Sequence, residues 1–208
     1  MHHSSFELLV LHSLQVGGAA SPEGVAGRFV LKEAEVEVAL QRFRAAGFAR
    51  EASGALSGWV LTPEGRLEVR RRLHQELVVG GLGSAVRDCY QQFLRLNPLA
   101  LQICSRWQVR GGAPNSHDDP AYDRAVVAEL VALEAQARPI CGRLGSLLSR
   151  YGHYGPRLSH SVALVEAGHD EWFVKPTIPS FHTVWFELHT DLLATLGLDR
   201  SSENRNSP

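Results

Sequence analysis

Apolar residues recur at helical spacing from the start of the chain. Phe6, Leu9, Val10 and Leu14 predict a short amphipathic helix over 5–16, closed by Gly17-Gly18. Ser21-Pro22-Glu23 predicts a second helix over 22–29, with Ser21 as its cap and Pro22 at the first helical position. A third is expected over 32–46. Its apolar stripe is Val36, Leu40 and Phe43 with Ala39 beside it, and Gly47 stops it. Two short extended runs follow, 48–51 and 58–61, around a Ser53-Gly54 turn signal. Thr62-Pro63-Glu64 then opens a fourth helix that runs through Leu73.

The glycine-rich run 79–84 predicts a domain boundary. Beyond it the pattern is again helical. Val86, Cys89, Tyr90, Phe93 and Leu94 mark a helix over 85–96, and Asn97-Pro98 restarts one to Gln108 with Asn97 as cap. A polar loop spans 110–120. A long helix over 120–150 should kink or split at Pro139. Gly155-Pro156 starts a helix over 155–167, and 168–179 reads as a loop carrying Trp172 and Phe173. Ser180 caps a last helix over 180–196, and the polar stretch 199–208 is expected to be disordered. The fold class is therefore mainly α. Its expected domains are 1–78, with a small β-hairpin; 79–198, a helical bundle; and the tail 199–208.

Composition narrows the functional classes. The chain has 208 residues and a formal net charge of −1, which excludes a strongly basic nucleic-acid-binding domain and a polybasic membrane-surface protein. The neutrality is not a sum of opposed halves, because 1–78 holds nine Lys/Arg and nine Asp/Glu. Only Lys32 and Lys175 are lysines, a bias that codon usage in a GC-rich genome accounts for. Cys89, Cys104 and Cys141 fit no zinc or disulfide spacing and read as reduced thiols. No apolar run approaches the ~18–20 residues that span a bilayer, and the first residues lack the basic start of a signal peptide. A cytoplasmic protein with no membrane association is expected.

Two motifs carry a family resemblance. Leu40-x-x-Phe43-x-x-x-Gly47-Phe48 resembles the exit from a recognition helix. Gly58-Trp59-Val60-Leu61-Thr62-x-x-Gly65-Arg66 resembles a second wing strand running into the next helix. Together they cover about 60 residues and resemble MarR-type winged helix-turn-helix regulators. The resemblance implies a homodimer on double-stranded operator DNA, with the third helix in the major groove. The candidate DNA-binding residues are Arg28, Lys32, Gln41, Arg42, Arg44, Arg50 and Ser53. Glu33, Glu35 and Glu37 crowd the start of the same helix. They complement its dipole and oppose phosphate. The wing tip, 52–56, carries no cation.

The helical half offers candidates for ligand binding. His182, Trp185, Phe186 and His189 share one helical face, which is either an aromatic pocket wall or a core stripe. Trp107, Arg110, His117, Tyr122 and Trp172 are candidate members of the same pocket, with Arg110 suited to an anionic ligand group. Glu187 and Asp191 form an i,i+4 carboxylate pair whose bland reading is two solvated charges. His182 and His189 lie about 10.5 Å apart along a helix, too far to share one metal unaided. There is no P-loop, G-x-G-x-x-G, nucleophile elbow or H-E-x-x-H, so neither cofactor nor metal is expected. The leading expectation is a winged-helix transcriptional regulator modulated by a small ligand. The alternatives are a winged-helix protein-interaction adaptor and a small enzyme using His182, Glu187, His189 and His117.

Overall fold

The computed structural model describes residues 1–54 and 57–198. It is mainly helical, with two small two-stranded sheets among the described residues. Ala55 and Leu56 at the wing tip, and the tail 199–208, lie outside the described residues. The chain groups into two compact units. The first comprises Met1–Ser84, Leu148–Arg150 and the described residues from His189 on; the second comprises Ala85–Leu147 and Tyr151–Leu188.

In the first unit the order is α1 (Phe6–Gly17), α2 (Pro22–Phe29), α3 (Glu33–Ala45), β1 (Ala49–Ala52), β2 (Gly58–Leu61) and α4 (Pro63–Gly80). The caps act as their residue types require. Ser5 Oγ accepts from Leu8 N, Ser21 Oγ from Gly24 N, and Thr62 Oγ1 from Gly65 N. β1 and β2 pair antiparallel, with Arg50 opposite Val60 and Glu51 opposite Trp59. The free edge of β2 meets the chain between α1 and α2: Trp59 N donates to Ala20 O at 2.8 Å, and Ala20 N to Trp59 O at 3.1 Å. Val10, Leu11, Val25, Val36, Leu40 and Leu73 are fully buried at the centre of this unit. Val30, between α2 and α3, is left-handed (φ 55°), which strains a β-branched residue.

α4 continues past Leu73 to Gly80, so the break in the chain shrinks to Gly81 and Leu82. Two buried residues hold the extra turns, Leu77 and Glu76. On the outer side of α4, Glu68 accepts from Arg71 Nε at 2.7 Å and Arg72 Nε at 2.6 Å. These hydrogen bonds, Arg71 first, hold its carboxyl down to about 2. The unfolded carboxyl titrates near 4.5. Its stabilising contribution is therefore complete above that value and is lost as pH falls toward 2. Glu68→Gln is expected to flatten that part of the acid-unfolding curve; an unchanged curve would rule the linkage out.

The second unit contains α5 (Gly83–Gln108), β3 (Val109–Arg110), β4 (Ala113–Pro114), α6 (Pro120–Leu147), α7 (Tyr154–Glu166), α8 (Glu171–Val174) and the first half of α9 (Phe181–Leu196). α5 does not restart at Asn97-Pro98; it runs straight through. One apolar stripe, including Tyr90, Phe93, Leu96, Ala100 and Ile103, continues across the proline, and its burial offsets one missing backbone hydrogen bond. Asn97 is no cap, because its Oδ1 accepts from Trp185 Nε1 at 3.0 Å. α6 likewise passes through Pro139 on a stripe from Val126 to Leu144. It ends at Leu147, before the expected Arg150, and the chain turns through a short 3-10 segment, Ser149–Tyr151. The 110–120 loop contains the β3–β4 hairpin, and the 168–179 loop contains α8, which buries Phe173.

Candidate functional site

α3 buries Val36, Ala39, Leu40 and Phe43 and leaves Ala34, Glu37, Val38, Gln41 and Ala45 exposed. Of the candidate DNA-contacting residues, Lys32, Gln41, Arg42, Arg44, Arg50 and Ser53 are exposed. Lys32 Nζ donates to Glu35 at 3.1 Å. Arg42 lies 3.6 Å from Glu7, and Arg44 lies 3.7 Å from Glu51. Arg28 is half-buried against the C-terminal end of α1, so close that a Cβ on Gly17 would meet its Nη2 at 2.7 Å. There it complements the carbonyl end of α1. The outward surface of α3 therefore combines three exposed glutamates near its start with Gln41, Arg42 and Arg44 near its end and with small and apolar residues between them.

The first unit also buries a polar cluster that the sequence does not advertise. Arg150 leaves the end of α6 and is fully buried. It donates from Nε to Glu76 at 3.2 Å, from Nη2 to Thr195 Oγ1 at 2.8 Å, and from Nη1 to Asp191. Thr195 donates in turn to Asp191 at 3.0 Å. His12 Nε2 is 2.9 Å from Asp191 Oδ1 but not aligned for a directed hydrogen bond, and its Nδ1 has no partner among the described residues. Asp191 is thus no solvated charge, contrary to expectation. Glu187, its expected companion, is also buried and accepts from Arg157 at 2.6 Å. The two carboxylates serve separate ion pairs, one in each unit.

The aromatic face read from the sequence on α9 is divided, and only its Trp185 is aromatic core. Trp185 stacks on Phe93 (4.7 Å between centroids) and Phe181 (5.6 Å), and its indole nitrogen is committed to Asn97. Phe186 points the other way and is exposed. His182 is half-buried, which pushes its pKa down, while His189 is buried within the first unit. Trp172 makes an edge contact with His160. Arg110 lies over the Tyr122 ring at 4.4 Å and pairs with Asp119 at 2.8 Å, an arrangement that uses both residues on each other. Among the described residues no three His, Cys, Asp or Glu gather as metal ligands. Burial pushes the Cys104 and Cys141 thiols up to about 12, which removes them as nucleophiles.

Trp107 and His117 do come together. They belong to a cavity of about 520 Å³ in the second unit, between the first turns of α6 and the end of α7. Trp107 stacks on Phe173 at 4.4 Å and on His117 at 4.5 Å. Asn115 fixes the histidine. Its Oδ1 accepts from His117 N, while Nδ2 donates to Trp107 O at 3.1 Å and to Asp123 Oδ1 at 3.2 Å. Both amide hydrogens are then used, so the 3.1 Å contact of His117 Nδ1 with Asp123 Oδ2 has the ring donating. In the neutral ring Nε2 is the acceptor left for a bound molecule. His117 is also held left-handed (φ 56°), a strained conformation that this network over-determines. Asn115 and Asp123 were not legible as partners. They flank His117 in an N-x-H-x5-D spacing that matches no helical or strand period.

No protein-family model matches the chain, and neither a characterised protein nor a solved structure matches it. What stands is a class: a mainly helical chain of two compact units. Among the described residues no helix is long and apolar enough to cross a membrane.

Proposed function

We propose that the first unit is a MarR-like winged helix-turn-helix module and the chain a cytoplasmic, homodimeric transcriptional regulator of operator DNA. The second unit, a helical bundle in this reading, senses a small ligand in the Trp107–His117 cavity. The observation that carries this reading is the arrangement around Trp59. Its strand pairs with β1 on one edge and with Ala20 on the other, behind an α3 whose polar face is exposed. A hairpin strand held on both edges next to a helix with an exposed polar face fits a wing and recognition helix, as the sequence motifs suggest. The ligand acts by favouring one of two DNA affinities, and a tenfold difference between states is worth about 1.4 kcal/mol.

A second reading is an adaptor that docks a basic protein segment on α3. The exposed Glu33, Glu35 and Glu37, with Lys32, Arg42 and Arg44 drawn to carboxylates, favour it. One experiment separates the two: titration of the chain on promoter DNA from its own gene at two salt concentrations. For the regulator, affinity falls steeply with salt. Gln41→Ala/Arg42→Ala then weakens binding by about tenfold or more, and Glu33→Gln/Glu35→Gln/Glu37→Gln strengthens it. A folded chain that binds no DNA at low salt moves the assignment to the adaptor.

A further inference from the structure

We propose that the cavity of the second unit binds a small organic cation, an amine with an apolar body. This deepens the effector-site reading above and rests on it. The cavity has an apolar wall on one side, Val127, Ala128 and Val131 of α6 facing Val165 of α7. Polar groups line the rest, and their signs are unequal. Asp123, Glu166 and Asp170 supply three carboxylates against the single guanidinium of Arg124.

The backbone reinforces that sign. α7 ends at Glu166 beside the cavity; Ala167 N, Gly168 N and His169 N cap the carbonyls of Ala163, Val165 and Leu164, so the helix adds only its dipole there. The opposite pole of α6 is already answered, because Asp119 accepts from Ala121 N and Tyr122 N. In its neutral form His117 adds a hydrogen-bond acceptor at Nε2, since Nδ1 is spent on Asp123. An ammonium group supplies the donors and positive charge this set lacks, and an apolar tail covers the valines. A carboxylate ligand with the same tail meets three like charges. The open space around Gly168 (φ 88°) leaves the α7 side of the cavity uncrowded.

The test is calorimetric titration of the full chain with a matched pair of probes, 4-phenylbutylamine and 4-phenylbutyrate, at neutral pH and low salt. The amine should bind, and the carboxylate at least tenfold more weakly. Glu166→Gln/Asp170→Asn, at two exposed positions, should lower amine affinity by on the order of tenfold. Val131→Trp, which fills the cavity, should abolish binding with the circular dichroism spectrum unchanged. A carboxylate that binds as well as the amine, amine binding that survives Val131→Trp, or no heat from either probe overturns the proposal. Amine binding without any change in DNA affinity leaves the site standing and overturns the regulatory reading. DNA binding without amine binding does the reverse.

Discussion

Arg150→Met is expected to destabilise the first unit by about 3–5 kcal/mol, the cost of removing one partner from a buried ion pair. Arg150 and Asp191 are fully buried and Glu76 nearly so. Without the guanidinium, two carboxylates remain out of water, and Thr195 loses the hydrogen bond it accepts from Arg150. Urea unfolding followed by far-ultraviolet circular dichroism measures the loss. Asp191→Asn alone should also be costly, because it leaves the buried guanidinium short of an anion. The Arg150→Met/Asp191→Asn double variant should then lose less than the two single losses added together. A loss below about 1 kcal/mol for Arg150→Met, the scale of a surface pair, would show that the cluster does not hold this unit together. Natural selection of such a cluster over apolar packing also calls for a reason. The four segments it joins, at His12, Glu76, Arg150 and Asp191, are far apart in sequence. A directed polar contact fixes their register in a way that interchangeable leucines do not.

That cluster marks where the sequence stopped being readable. α1 to α4 were legible at most of their ends because those ends have a local cause: Ser21 and Thr62 as caps, proline at the first position, Gly47 at the exit of α3. α5 was not, since the local rule at Asn97-Pro98 lost to a stripe of buried side chains on both sides of it. Periodicity says which residues share a face but not what meets that face. It placed Trp185 and Phe186 together and left pocket wall and core stripe open, whereas Trp185 meets Phe93 in the core and Phe186 meets solvent. The candidate site was half legible. Trp107 and His117 were singled out by residue type, and both line the cavity. Asp123, Glu166 and Asp170 were missed, because a carboxylate on a polar helix face looks the same whether or not a cavity opens beside it. His12 gave a signal that went unread, a histidine within the apolar run Leu8–Leu14.

Gly65→Ala is the other substitution expected to have a large effect, although it adds one methyl group. A Cβ at Gly65 would stand 1.9 Å from the Phe48 carbonyl oxygen and 2.8 Å from its carbon. Both are backbone atoms, so no rotamer change relieves the clash. The approach is set from two sides. Thr62 N donates to the same carbonyl at 3.0 Å, and Thr62 Oγ1 donates to Gly47 O at 2.6 Å while capping Gly65 N. The first turn of α4 is thereby laid on the chain as it leaves α3 for β1. This is why the T-x-x-G spacing after the second strand works only with glycine at its end. Overpacking of this kind costs about 1–3 kcal/mol when side chains can yield, and more where backbone must move. The hairpin should lose its seat against α3, and any binding that uses the wing should fall with it. Gly27→Ala is the control: that helical glycine has nothing within 4 Å of a Cβ. It should gain about 0.5–1 kcal/mol from the better helix former. Comparing the two urea midpoints checks both expectations, and a Gly65→Ala variant as stable as the parent would mean that α4 does not press on Phe48 as described.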